Sequence, residues 1–202
     1  MFSKVITFNN LSSEAPYLIL KEKYDQALFA DQKIIEAMSI SSFSSDLSEV
    51  NARFVNLKFV NNKEFIFFSN YNSPKSKEFK SHAQITALIF WNSINVQIRM
   101  KALVVKTSKA FNQEYFKGRD KTKNALAISS NQSVQIESYE DVTKNYNDSL
   151  KSANLENCPD YWGGYSFTPF YFEFWEGHKS RLNKRDVYQF ENKVWKHYFL
   201  QP

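Results

Sequence analysis

The chain of 202 residues holds a single cysteine, Cys158, so no disulfide can form within it, and an intracellular, cytoplasmic setting is expected. No stretch approaches the roughly 20 apolar residues that carry a helix across a bilayer. The opening MFSKVITFNN has no apolar run of signal length, so neither a membrane nor an export role is expected. Glycine is scarce. Gly118, Gly163, Gly164 and Gly177 are all there is, and no GxGxxG or GxxxxGK[ST] can be written from them. A glycine-rich backbone cradle for phosphate is therefore excluded, and any phosphate must be held by Arg and Lys side chains. The histidines His82, His178 and His197 lie far apart without HExxH spacing, so no metal centre is expected. There is no GxSxG elbow, and Cys158 precedes Pro159 in a polar segment that reads as an incidental thiol. With no metal and no triad, an enzyme built from this chain takes its hard chemistry from a cofactor.

What the chain does have is aromatic side chains, 17% of residues with 19 Phe, and these favour strands. The net charge of +5 comes from basic residues spread along the chain rather than gathered in a block. A distributed excess of this kind suits small phosphate-bearing ligands. A nucleic-acid surface is not expected, because the aromatics fall at strand positions with core periodicity instead of lining an exposed stacking face.

Residues 1–12 read as a polar lead-in. A helix follows, with Ser12 or Ser13 available as its cap, Pro16 in its first turn, and Tyr17, Leu20, Tyr24 and Leu28 on one face. Segments 37–43, 50–60, 64–69, 84–91, 96–106 and 165–175 read as strands. Val96 to Ala102 alternates cleanly, and Asn61-Asn62-Lys63 serves as a hairpin turn. Residues 109–131 and 138–153 read as helical, the second opened by a capping box of Ser138 and Asp141. A hairpin of 185–191 and 194–200, turning at Asn192-Lys193, closes the chain. Short strands in regular succession predict a mostly β, antiparallel barrel with helical additions rather than βαβ units.

Two basic pairs stand out. Arg53 and Lys58 share a strand, but their odd spacing puts them on opposite faces of a regular one. Arg181 and Arg185 follow Trp175 closely, either as a charged turn or as a phosphate clamp beside an aromatic wall.

The C-terminal run Trp175…Arg181-Leu182-Asn183-Lys184-Arg185…Tyr188-Gln189…Glu191-Asn192…Trp195-Lys196 resembles the closing segment of the pyridoxamine 5′-phosphate oxidase family. Upstream, Arg53-Phe54-Val55-Asn56-Leu57-Lys58 resembles the family's Arg-x-Val-x-Leu-Lys strand, and Phe67 to Lys75 its Phe-Tyr-Thr-Asn…Ser-Arg-Lys segment. Val96-Gln97-Ile98-Arg99, Tyr115-Phe116…Arg119, Gln132-Ser133 and Tyr161-Trp162-Gly163-Gly164 follow in the family's order, so the likeness spans residues 14–202.

The resemblance implies an FMN-binding split β-barrel, antiparallel and Greek-key-like. Residues 1–202 would form one domain, with 165–202 as the dimerisation and substrate-binding segment. It implies an oxidase of the pyridoxal 5′-phosphate synthase type, acting on a CH–NH2 or CH–OH group in vitamin B6 metabolism. Pyridoxamine or pyridoxine 5′-phosphate becomes pyridoxal 5′-phosphate, and O2 becomes H2O2. A family member with a different substrate, or with no oxidase activity, is the alternative. The protein would be a homodimer with FMN across the subunit interface. The implied FMN contacts are Arg53, Phe54, Val55, Asn56, Leu57, Lys58, Phe68, Ser69, Lys75, Gln97, Gln132, Ser133, Trp175 and Arg185. The implied substrate contacts are Lys58, Tyr115, Arg119, Lys123, Arg181 and Asn183, with Arg181 in the catalytic position over the substrate ring. Three positions depart from the family pattern. Pro74 replaces an Arg on the FMN phosphate, Lys123 a Ser on the substrate phosphate, and Asn183 a His lining the substrate site.

Overall fold

A computed structural model describes residues 6–202, so the first five residues of the expected lead-in lie outside the described residues. The strands are β1 (Thr7–Asn9), β2 (Ala37–Ser44), β3 (Glu49–Asn61), β4 (Glu64–Asn70), β5 (Gln84–Trp91), β6 (Val96–Lys106), β7 (Trp162–Glu176), β8 (Lys184–Glu191) and β9 (Val194–Leu200). Six of them close into an antiparallel ring in which β3 pairs with β2, β2 with β5, β5 with β6, β6 with β7, β7 with β4, and β4 with β3. β7 is the strand on which the barrel splits. One of its edges pairs with β4 over residues 162–167 and then with β8 over 171–176, while β6 runs along the other. A register shift between Lys101 and Ala102, opposite Tyr171 and Pro169, falls at that change of partner. Pro169 has no N–H to give a ladder, and an irregularity is where a strand tolerates it.

Alternation builds the core. Val96, Ile98, Met100, Ala102 and Val104 of β6 are buried, and the residues between them turn outward. The helix α1 (Ala15–Phe29) lays Tyr17, Leu20, Tyr24 and Ala27 on this core, and Tyr17 meets the rings of Phe65, Phe172 and Trp195.

Several expectations need correction. The lead-in is not all loose, since β1 pairs in parallel with β3 through Thr7↔Phe59. Neither serine caps α1. Glu14 is the N-cap residue, and Ser12 Oγ accepts from the Glu14 N–H just outside the helix. Leu28 is exposed and Ala27 takes the buried place, because four steps of 100° from Tyr24 overshoot a narrow face that three steps reach. The segment 109–131 is two helices, α3 (Lys109–Gly118) and α4 (Lys121–Ser129), and Asp120 caps the second through the Thr122 N–H. Between β4 and β5 lies an unexpected helix, α2 (Pro74–Ser81). The last helix, α5 (Tyr139–Ser152), opens as expected, with Ser138 Oγ accepting from Asp141 N–H. Asn192 and Lys193 both take positive φ, 52° and 67°, as the tight β8–β9 turn demands. No helix among the described residues is long and apolar enough to cross a membrane.

Candidate active site

The first cluster gathers where α2 meets the ring. Pro74 suits the first turn of α2, since its missing N–H would have had no helical partner. The next residue, Lys75, is buried at 7% exposure, and its ammonium donates to Ser69 Oγ (2.9 Å), Ser73 Oγ (3.0 Å) and Gln132 Oε1 (3.2 Å). All three acceptors are neutral. Burial, reinforced by nearby Arg53, pushes the Lys75 amine down to about 8. Arg53 reaches from β3 to Ser42 Oγ and to Glu78 Oε2 of α2, the latter at 2.8 Å. Arg53, Lys75 and Glu78 line a groove of about 640 Å³ with Phe54, Pro74, Lys77, Gln132 and Ser133, and the carboxylates of Asp46 and Glu49 line it as well. A buried ammonium held only by neutral acceptors, next to an arginine, fits the phosphate of a mononucleotide cofactor.

A second cluster adjoins it. A pocket of about 240 Å³ is lined by Phe68, Ser69, Arg119, Lys123, Gln132 and Trp162, so Gln132 borders both cavities. Phe68 stacks between Tyr115 (centroids 3.8 Å apart, 9° between planes) and Trp162 (5.2 Å, 11°). The Arg119 guanidinium lies 4.9 Å from the Trp162 ring and donates to Lys123 O and Asn124 Oδ1. Lys58 is the extra residue where the β3–β4 register shifts between Leu57 and Phe59. That irregularity resolves the spacing problem with Arg53, because Arg53 follows the inward alternation while Lys58 steps out of it. Burial lowers the Lys58 amine, and Lys123 and Arg119 add to this against the opposing pull of Glu36. Tyr115 is pushed up by burial. The arrangement places two cations, Arg119 and Lys123, over a floor of aromatic rings, which suits an anion.

The third cluster stands on the outer ladder. Gln97, Trp175 and Arg185 form one row across β6, β7 and β8. Glu173, 3% exposed, accepts from Arg185 Nε (2.8 Å), from Arg99, and from the Tyr171 hydroxyl (3.0 Å). Burial alone would raise its carboxyl, but these bonds from Arg185, Arg99 and Tyr171 outweigh it and hold the group low. Gln97, Arg99, Trp175 and Arg185 line a groove of about 380 Å³. Arg181 is exposed on the β7–β8 connection with φ of 60°, and Asn183 Oδ1 is engaged by the His178 N–H (3.0 Å).

Arg53, Lys75, Gln132 and Ser133 thus meet in one groove, with Ser69 bonded to Lys75 from the adjoining pocket, while Tyr115, Arg119 and Lys123 gather with Lys58 there. Gln97, Trp175, Arg185 and the Arg181 loop stand apart. Trp175 is eleven residues along β7 from Gly164, the partner of Phe68, or about 35 Å of strand. The remaining expected contacts lie on β3. Phe54 and Asn56 are exposed and Val55 is half-buried. Leu57 is fully buried, so its side chain lies in the core. Sequence reasoning missed Glu78, Ser73, Ser42 and Glu173. Of these, Glu173 was findable at two residues from Trp175 on the same strand face.

Residues 162–202 match the family model described as "Pyridoxine 5′-phosphate oxidase C-terminal dimerisation region". The chain is similar to pyridoxine/pyridoxamine 5′-phosphate oxidase 1 of Hydrogenovibrio crunogenus, with 35% identity over 86% of this chain and 81% of that one. It is also similar to the pyridoxine/pyridoxamine 5′-phosphate oxidase of Vesicomyosocius okutanii, at 34% over 89% and 84%. Among solved structures, PhzG of Burkholderia lata in complex with tetrahydrophenazine-1-carboxylic acid superposes with a TM-score of 0.86, 24% identity and coverage of 93% and 92%. A pyridoxamine 5′-phosphate oxidase-related, FMN-binding protein of Nostoc punctiforme gives 0.74, 10%, and 94% and 99%. Both likenesses show the fold, a split barrel.

Proposed function

The chain belongs to the pyridoxine/pyridoxamine 5′-phosphate oxidase family, and from that premise we propose that it oxidises pyridoxamine or pyridoxine 5′-phosphate to pyridoxal 5′-phosphate with FMN as cofactor and O2 as final acceptor. The observation that carries this reading is a cavity holding the buried Lys75 ammonium on neutral acceptors, joined at Gln132 to a second lined by Arg119 and Lys123. One suits a cofactor phosphate and the other a substrate phosphate. When bound, FMN supplies a two-electron acceptor that O2 can reoxidise, releasing H2O2.

The protein's part is binding and orientation. Lys75, Arg53 and Ser69 hold the FMN phosphate, with Gln132 and Ser133 closing the groove. Lys58, Arg119 and Lys123 hold the substrate phosphate, and this anchor sets how far the reacting carbon lies from the phosphate. Fixing that distance turns an encounter into a local event, the main service a positioning site gives. The stacked rings of Tyr115, Phe68 and Trp162 form a wall that keeps water from one side of the pocket. Gln97, Trp175 and Arg185, some 35 Å of strand away, serve the flavin of the other subunit in a homodimer, and Arg181 on the neighbouring connection covers the substrate. The dimerisation region of the family covers this ladder. We read residues 1–202 as one FMN-binding domain whose segment 165–202 completes the partner's site.

A second reading is a family member with another substrate. Asn183 favours it, because its side-chain oxygen braces its own loop through His178 N–H and an amide does not titrate near neutral pH. Purified protein mixed with FMN and pyridoxamine 5′-phosphate in air decides between them. Pyridoxal 5′-phosphate and H2O2 in equal amounts are expected. Bound flavin with neither product would sink the substrate assignment and leave the second reading.

A further inference from the structure

The hydrogen bonds of Arg53 divide its guanidinium in two. Nη1 donates to Ser42 Oγ and, at 3.4 Å, to Ile40 O, while Nη2 donates to Glu78 Oε2 at 2.8 Å. A guanidinium carries five N–H donors in a rigid fork. These contacts use three, the two of Nη1 and one of Nη2. The Nε–H and the second Nη2–H remain without a partner among the described residues. They are parallel neighbours on one edge, the pattern that meets two oxygens of a single phosphate.

Glu78 is what makes that edge available. Its side chain is 5% exposed, and it is itself held by the Ser42 hydroxyl and by Asn51 Nδ2 at 3.1 Å. It follows Lys75 by three residues on α2, so both side chains stand on one helix face and line the same groove. One short helix therefore supplies an ammonium for the anion and a carboxylate for the neighbouring arginine. The carboxylate engages only the far end of the fork. A carboxylate on the Nε edge would have blocked it.

We propose that Glu78 is a positioning residue for the cofactor phosphate, holding Arg53 so that its Nε–Nη2 edge faces the groove. This rests on the FMN reading above. The test compares the affinity of the full chain for FMN and for riboflavin, followed by quenching of flavin fluorescence, in wild type and in Glu78→Ala, Glu78→Gln and Ser42→Ala. Riboflavin shares the ring system and lacks the phosphate, so the ratio of the two affinities isolates the phosphate contact. Glu78→Ala is expected to weaken FMN about tenfold or more, the size of a lost hydrogen bond to a charged group, and to leave riboflavin unchanged. Glu78→Gln keeps an oxygen to accept from Nη2 and restores most of the FMN preference. Ser42→Ala, which removes the Nη1 anchor and one bond to Glu78 but leaves both members of the ion pair in place, gives a smaller loss in the same direction and carries the test if Glu78→Ala does not fold. An equal fall for both flavins would make Glu78 merely structural. Tighter FMN in both Glu78 variants would make it a repelling charge. Either result overturns the proposal. A wild-type chain that binds neither flavin overturns the FMN reading with it, and shows this before any variant is compared.

Discussion

The groove at α2 and the groove on the outer ladder each place two cations around one buried carboxylate, in different arrangements. In the first these are Arg53 and Lys75 with Glu78, where Lys77, Asp46 and Glu49 also line the groove, and in the second Arg99 and Arg185 with Glu173. In the first the carboxylate touches only the arginine, so Lys75 is left on neutral acceptors and its amine falls to about 8, chiefly through burial. In the second the carboxylate touches both arginines. Burial would lower Arg99, yet its hydrogen bond and charge pairing with Glu173 raise it above its usual value. The first groove leaves the Lys75 ammonium without an ion-pair partner among the described residues, while the second ties both of its arginines to one carboxylate. Connectivity, not composition, separates an anion site from a structural ion-pair network.

The largest effect should come from separating the two grooves on different chains. Lys75→Ala and Arg185→Ala are each expected to lose most FMN binding as pure homodimers. In a randomly mixed population half the dimers are heterodimers with one intact composite site, so about a quarter of the sites should return. Flavin stoichiometry after co-expression measures this. No recovery would mean that both grooves act within one chain. Next in size is Glu173→Ala. It strands two arginines that are about a third exposed, so the low end of the range for broken buried pairs applies, about 3 kcal/mol, or roughly 6–12 °C in melting temperature. Affinities for FMN and riboflavin should fall together, unlike the split expected at Glu78. A melting temperature within a degree of wild type would mean that the network does not hold the ladder.

These contrasts follow how legible each region is in the sequence. The ladder was readable, because β6 alternates in burial and Gln97 and Arg99 fall on its outward phase, opposite Trp175 and Glu173. The α2 groove was not. Pro74 to Ser81 has almost no apolar residues to set a helical period, and a Ser-Pro start reads equally well as a turn. With α2 unseen, the i, i+3 relation of Lys75 and Glu78 was invisible. The irregularity at Lys58 left no compositional mark either, so the Arg53–Lys58 spacing looked like a contradiction. The resemblance supplied which residues matter, while only coordinates showed which of them meet.

Pro74→Arg tests whether the first groove is short of charge. The family's arginine is missing there, and Pro74 lines the groove beside Lys75. Restoring a charge-assisted contact should tighten FMN about tenfold with riboflavin unchanged. An unchanged FMN affinity would mean that Lys77, on the same groove, already fills the role.

The smallest effect is a pH dependence that only the first groove should show. Lys75 titrates at about 8 in the fold against 10.5 ordinarily, so its protonated form is penalised by folding. Between those values the unfolded chain binds more protons, and stability without ligand therefore rises with pH across the window. FMN needs the opposite, since its phosphate pairs with the charged amine and is already mostly dianionic at pH 7. Affinity should drop about fourfold from pH 7 to pH 8.5, the ratio of protonated fractions for a group titrating at about 8. Riboflavin should show no such drop. Lys75→Arg keeps its charge throughout and should flatten both trends. Stability and affinity moving in opposite directions through pH 8 identifies Lys75 as the group responsible. If both fell together, the titrating group would lie elsewhere, and the contrast between an unpaired ammonium and a ladder of paired arginines would lose its main support.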